Sequence, residues 1–220
     1  MDEQKTPDFV ENDPDSILRD RLADAVASEA SFDGWTRAAL ASATRGLDLP
    51  EGEGERLFPG GPLDVLNYLS RRSDLRMVED MDKEGVIALK IRDRIKAAVR
   101  IRLERHAGQR ESARRALSLL SLPFNAPLAL KLLYGTVDAM WYAAGDTSTD
   151  FNFYTKRATL AGVYSSSLLY WLNDRSPGAE ATWAFLDRRI DDVMRIEKLK
   201  GQVRSWTNPK RAAAGPAARR

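Results

Sequence analysis

Two strongly apolar segments, Pro127 to Ala144 and Phe151 to Leu172, are joined by the short polar run Gly145-Asp146-Thr147-Ser148-Thr149-Asp150. This junction constrains the fold more than any other stretch. Both flanks read as helices: Gly145 suits the left-handed position that closes the first, and the Asp-Thr-Ser-Thr run supplies capping oxygens for the second. On the second helix Asp150, Phe153, Tyr154 and Arg157 recur at i, i+3, i+4 and i+7, a single stripe. A carboxylate, two aromatics and a guanidinium on one stripe suit a partner-binding surface. They equally suit a helix N-terminus whose aromatics enter the core and whose aspartate caps it, and periodicity leaves both readings open.

The 220 residues are enough to bury a substantial core, and 43% hydrophobic with 30% charged residues is an ordinary globular balance. The absence of cysteine excludes disulfides, thiolate chemistry and cysteine-ligated metals. The single histidine, His106, stands among Arg105, Arg110 and Arg114 and reads as a surface residue. A net charge of +2 leaves electrostatic preference to local patches. Residues 1–14 are acidic and read as a disordered N-terminus, without the pattern of a secretion or transit signal. No uninterrupted apolar run reaches the ~20 residues that a membrane span requires. The resulting expectation is a cytoplasmic protein.

Helical periodicity begins at Asp13-Pro14-Asp15-Ser16 and continues through Ile17, Leu18, Leu22 and Val26. A second short helix is expected over Trp35–Arg45, and a third opens at Pro62. This order is that of a helix-turn-helix module, yet the place of a recognition helix is taken by Asp48-Leu49-Pro50-Glu51-Gly52-Glu53-Gly54-Glu55. Four acids would face a polyanion, and proline with two glycines disfavours a rigid helix. Residues 15–72 therefore read as a degenerate helix-turn-helix region that does not bind nucleic acid. From Asp74 a long helical region is expected to reach Arg105, bent near Gly85, with the many cations between Lys90 and Arg105 forming a solvated face. Arg114–Leu122 forms the next helix, Asn125 caps the one after it, and Leu128–Ala144 is apolar almost all round. Such a helix belongs at the centre of a bundle, covered on every side, and its Asp138 then needs a partner or water. Ala158, Ala161, Gly162 and Ser165 form a small-residue stripe that fits either close helix packing or the wall of a ligand pocket. Ala179–Met194 is expected as the last core helix, closing a 73–195 bundle continuous with 15–72. Beyond it Ile196, Leu199, Val203 and Trp206 lie on a different face amid many cations, the composition of an interfacial segment attracted to anionic membranes. Gly201 and Pro209 are expected to interrupt that 196–220 tail.

The run GDTSTDFNFYTKRA, with RALSLLSLPFNAPLAL before it and SPGAEATWAFLDRRIDDV after it, resembles the ubiquinone (coenzyme Q) biosynthesis accessory family, the ninth-numbered coenzyme Q protein. The likeness spans roughly Ser16 to Val193. It implies an all-α, tetracycline-repressor-like bundle of about nine to ten helices, dimeric through its last two core helices, here Phe151–Leu172 and Ala179–Met194. It implies a non-enzymatic lipid carrier, peripheral on the inner membrane, that binds isoprenoid quinone precursors. The carrier would present them to the di-iron demethoxyubiquinone hydroxylase, with no cofactor or metal of its own beyond the bound lipid. Carried onto this sequence, the resemblance makes Leu130, Leu133, Val137, Trp141, Phe151, Ala158 and Gly162 candidates for the lipid site. It makes Asp150, Phe153, Tyr154 and Arg157 candidates for the partner surface, with Phe153 where the family more often has tryptophan. Ile196, Leu199, Val203 and Trp206 are the membrane-facing candidates. The rival expectation is a ligand-responsive transcriptional regulator of tetracycline-repressor type. An enzyme is disfavoured because no catalytic triad, phosphate-binding glycine loop or metal cluster is present in the sequence.

Overall fold

The computed structural model describes the backbone of residues 14–146 and 151–207, and the side chains of 14–146 and 153–193. Among these residues the structure is all-α. The helices are α1 (Pro14–Asp33), α2 (Arg37–Gly46), α3 (Glu53–Leu57), α4 (Pro62–Lys83), α5 (Ile91–Glu104), α6 (Arg110–Leu120), α7 (Ala126–Ala143), α8 (Phe151–Asn173) and α9 (Glu180–Thr207).

Two buried clusters organise them. Leu22, Val26, Leu40, Leu57, Phe58 and Val65 join α1, α2, α3 and the start of α4. Met77, Val99, Leu103, Val137, Met140, Leu160, Trp171 and Leu186 join the end of α4 to α5, α7, α8 and α9. α4 is thus the shared rod, and its helical period does not stop at Asp74 as expected. Asp74 lies in mid-helix because its carboxylate accepts from Arg102 Nε of α5 at 2.7 Å and from Thr136 Oγ1 of α7 at 3.0 Å. The bend near Gly85 is real: Gly85 takes φ +63° and separates α4 from α5.

Of the cations from Lys90 to Arg105 only Arg102 is buried, and the half-exposed or exposed remainder are largely paired rather than free in solvent. Arg92 and Lys96 pair with Asp191 and Asp187 of α9, and Arg102 and Arg105 pair with Asp74 and Asp80 of α4. α3 is five residues long, entered through Gly52 in the left-handed conformation. Arg56, its cation, is held by Asp15 at 2.8 Å and Glu53 at 2.7 Å.

α7 closes as its sequence dictates. Gly145 has φ +81°, its N–H donates to the Tyr142 carbonyl at 2.9 Å, and the Asp146 N–H reaches back to that of Trp141 at 3.0 Å. This pair of bonds satisfies carbonyls that the helix end would otherwise strand. α7 is not, however, covered on every side. Val137 and Met140 are buried, whereas Leu130, Tyr134 and Tyr142 are 66%, 49% and 73% exposed. Its neighbours α4 and α8 cover only part of a surface that is apolar all round. At its other end Asn125 does not cap the helix, because its amide donates to the Leu119 carbonyl at 2.8 Å and ties the turn to α6 instead. α9 is one helix through Gly201 to Thr207, so no backbone break separates the expected core helix from the segment after it.

Candidate functional site

Between the two clusters lies a cavity of about 570 Å³. Leu66, Leu69 and Trp35 face it from the first cluster, Leu103, Leu133, Leu168 and Trp171 from the second, and Ala113, Ala116, Leu117 and Leu120 of α6 complete the wall. Its volume falls in the range that encloses most of one drug-sized molecule. α6 makes the cavity possible. It has an apolar face, yet its only buried residue is Ser112, so its leucines and alanines line space rather than fill it.

The wall is polar at one end. Arg102 is buried with its Nε on Asp74, and one of its terminal nitrogens donates to His106 Nε2 at 2.5 Å. A guanidinium only donates, so that ring nitrogen accepts and the imidazole is neutral. Enclosure, then the positive charges of Arg102, Arg72 and Arg105, push the His106 pKa down to about 3. His106 is therefore not the surface residue expected from its neighbours. Burial pushes the Asp74 carboxyl up despite Arg102 and Thr136, and it raises the Tyr164 hydroxyl, which also lines the cavity. Arg72 Nη1 is 2.9 Å from Asp20 Oδ1, its other terminal nitrogen meets Asp24, and its buried Nε has no hydrogen-bond partner. The donors at this end are largely engaged by Asp20, Asp24, Asp74 and His106, and Arg72 Nε is the fully enclosed one left without a bond.

Of the expected lipid-site residues, Leu133 lines the cavity. Val137 is buried in the neighbouring cluster and Trp141 is half-buried against it, neither of them on the cavity wall. Leu130, Ala158 and Gly162 are exposed, so the small-residue stripe divides: Ser165 lines the cavity and Ala161 packs against the second cluster, while Ala158 and Gly162 face outward. A Cβ added at Gly162 would meet nothing within 4 Å, so within this chain no neighbouring helix packs closely on the glycine. The Phe151 side chain lies outside the described residues, as does Asp150.

The partner stripe divides. Tyr154 is 67% exposed, Phe153 is half-buried against it edge-on at 5.2 Å, and Arg157 is 6% exposed. Arg157 lies over the Phe153 ring and pairs with Asp138 at 2.7 Å and Asp146 at 3.4 Å, so it clasps α7 and its turn to α8. Asp138 thereby has the partner its place in an apolar helix demanded. The side chains of Ile196, Leu199, Val203 and Trp206 lie outside the described residues. Sequence reasoning missed α6 as the cavity's main wall and Arg102–His106 as its polar end. The small residues Ala113 and Ala116 beside Leu117 and Leu120 were the available signal on α6.

The COQ9 family model matches residues 126–197, from the start of α7 into α9. Ubiquinone biosynthesis protein COQ9-B, mitochondrial, of Xenopus laevis is 36% identical over 195 residues, covering 86% of this chain and 66% of that protein. The human mitochondrial COQ9 is 34% identical over 86% of this chain and 61% of its own length. The Drosophila melanogaster protein is 30% identical over 87% of this chain and 60% of its own. The chain thus spans about two thirds or less of the length of these relatives. Among solved structures, a TetR transcriptional regulator from Nitrosomonas europaea superposes with a TM-score of 0.66 at 21% identity, covering 80% of this chain and 97% of that one. The fold is therefore that of the tetracycline-repressor type, and the chain belongs to the COQ9 family.

Proposed function

We propose that this protein is a non-enzymatic, lipid-binding accessory protein of ubiquinone biosynthesis. It binds an isoprenoid quinone precursor and presents it to the di-iron hydroxylase that modifies the ring. The observation that carries the reading is the cavity of about 570 Å³, apolar along α6 and polar at Arg72, Arg102 and Tyr164. An isoprenoid tail exposes apolar area to water at ~25 cal/mol per Å², and the leucine wall removes that cost. The quinone oxygens accept hydrogen bonds at the polar end. The names of the relatives supply the pathway. Tyr154, exposed near the α7–α8 turn, is the anchor of the hydroxylase-binding surface, and α8 with α9 forms a homodimer interface. The cationic segment beyond Ile196 holds the protein on an anionic membrane.

Trp35 and Trp171 line the cavity, so a short-chain ubiquinone titrated into the protein should quench tryptophan fluorescence saturably, at one site per chain. Quenching that rises linearly without saturation would contradict the reading.

A further inference from the structure

Two donors on the cavity wall find no acceptor among the described residues. Tyr164 of α8 is 7% exposed and lines the cavity, and no described residue is hydrogen-bonded to its hydroxyl. The phenol lies close enough to Arg102 and Asp74 for both charges to act on it, so it belongs to the polar end. The second donor follows from the tautomer of His106. Arg102 donates to Nε2, so the proton of the neutral ring sits on Nδ1. No described residue accepts from Nδ1, and this ring too lines the cavity. Arg72 Nε is also without a partner, but it is walled in by protein, whereas these two donors are not.

An enclosed donor without an acceptor is costly. Tyr164 and His106 therefore form the donor half of a site whose acceptors belong to what the cavity holds. Charge narrows the class of acceptor. Arg72, Arg76, Arg102 and Arg105 are the guanidiniums on the wall, and each is already paired with an aspartate of α1 or α4. No cation is left over to neutralise a buried phosphate or carboxylate. Neither new donor supplies one. Burial holds the tyrosine hydroxyl above its ordinary pKa, and enclosure keeps the imidazole neutral near pH 7. Neutral donors beside a balanced set of charges suit carbonyl oxygens on an uncharged head.

We propose that Tyr164 and His106 are the specificity-determining pair of this cavity. The Tyr164 hydroxyl and His106 Nδ1–H donate to oxygens of an uncharged, carbonyl-bearing head group, and the apolar tail lies along α6. A ring of the same size without oxygens leaves both donors unpaired and is discriminated against for that reason. An anionic head finds no free counter-charge. This deepens the proposed function and rests on the cavity being the ligand site.

The test uses the full chain and three probes: a ubiquinone with a single isoprene unit, pentylbenzene and pentyl phosphate. In calorimetric titrations the ubiquinone should bind tightest. Tyr164→Phe should cut its lead over pentylbenzene by about fivefold, the worth of one hydrogen bond. His106→Leu should cut that lead by a similar factor. A ratio of two ligands cancels any loss of folded protein. Tyr164→Phe should also leave the urea midpoint of the unliganded protein unchanged or higher, because its hydroxyl has no bond to lose. In infrared difference spectra the quinone carbonyl band should lie at lower wavenumber on the wild type than on Tyr164→Phe. An unchanged ratio with an unmoved carbonyl band would overturn the proposal. Pentyl phosphate binding more tightly than the ubiquinone would overturn it too and give the site to an anionic lipid. If the ubiquinone and pentylbenzene bind the wild type equally well, the cavity stands as the ligand site and the head-group assignment falls. If neither binds, the proposed function falls with it.

Discussion

Arg157 and Tyr154 share a stripe in the sequence but not an environment, and single substitutions should separate them. Removing the Arg157 guanidinium takes a cationic partner from Asp146, whose side chain is 5% exposed, and the Arg157 pair from Asp138. Breaking a buried pair from one side costs about 3 kcal/mol, so Arg157→Ala should lower the urea midpoint markedly. Tyr154→Ala should change folding stability by no more than about 0.5 kcal/mol, as an exposed substitution does. If the order were reversed, Arg157 would belong to the surface and Tyr154 to the core. His106 offers a second test. Its pKa falls from 6.5 in the unfolded chain to about 3 in the fold, so between these values the unfolded state binds the extra proton. Stability should therefore be complete above pH 6.5 and decline as pH falls. Down to about pH 4.5 most exposed carboxylates are still ionised. His106→Gln should flatten that slope in denaturation curves collected across the range. Neither residue's surroundings were legible in sequence. His106 is flanked by arginines that suggest water, but Arg102, which donates to its ring, is turned inward by Asp74, 28 positions away.

At the scale of helices, most of the architecture could be read directly. Gly145 and the apolar runs beside it fixed α7 and α8, and Pro62 opened α4 as its missing N–H allows. The errors came where tertiary pairing overrode a local signal. The charged run before Asp74 suggests a helix boundary, but Arg72 is paired by α1 and Asp74 by α5, and α4 runs straight through. The cations of α5 looked free because their acids lie on α9 and α4, far away in the chain. α7 looked central because composition does not reveal which face of an apolar helix lacks a neighbour. α3 agrees with its sequence: five residues, acidic, with Arg56 occupied by Asp15 and Glu53. A recognition helix must bring cations to phosphates and side chains to base edges. The protein should therefore show no sequence-selective binding to duplex DNA. A gel-shift assay at physiological salt with a random-sequence pool tests this, and enrichment of a defined site at sub-micromolar protein would restore the regulator reading.

For the whole molecule, the decisive feature is a gap between two cores that share α4. Each cluster could be anticipated from periodicity, but their separation could not, because it depends on α6 standing off with only Ser112 buried. For that reason the residues expected to hold lipid fell mostly on α7 and α8, and of them Leu133 lines the cavity that the fold leaves open. If this cavity is the lipid site, filling it should empty the protein of ligand without unfolding it. Ala116 lines the wall from α6, and a tryptophan there would project into the space. Native mass spectrometry, with lipid extraction, of the wild-type chain and Ala116→Trp purified from the same cells is the direct measurement. The wild-type chain should carry one isoprenoid lipid per protomer, and Ala116→Trp should carry at least tenfold less with an unchanged helical circular dichroism spectrum. A wild-type chain free of lipid, or a folded Ala116→Trp variant that retains it in full, would contradict the account.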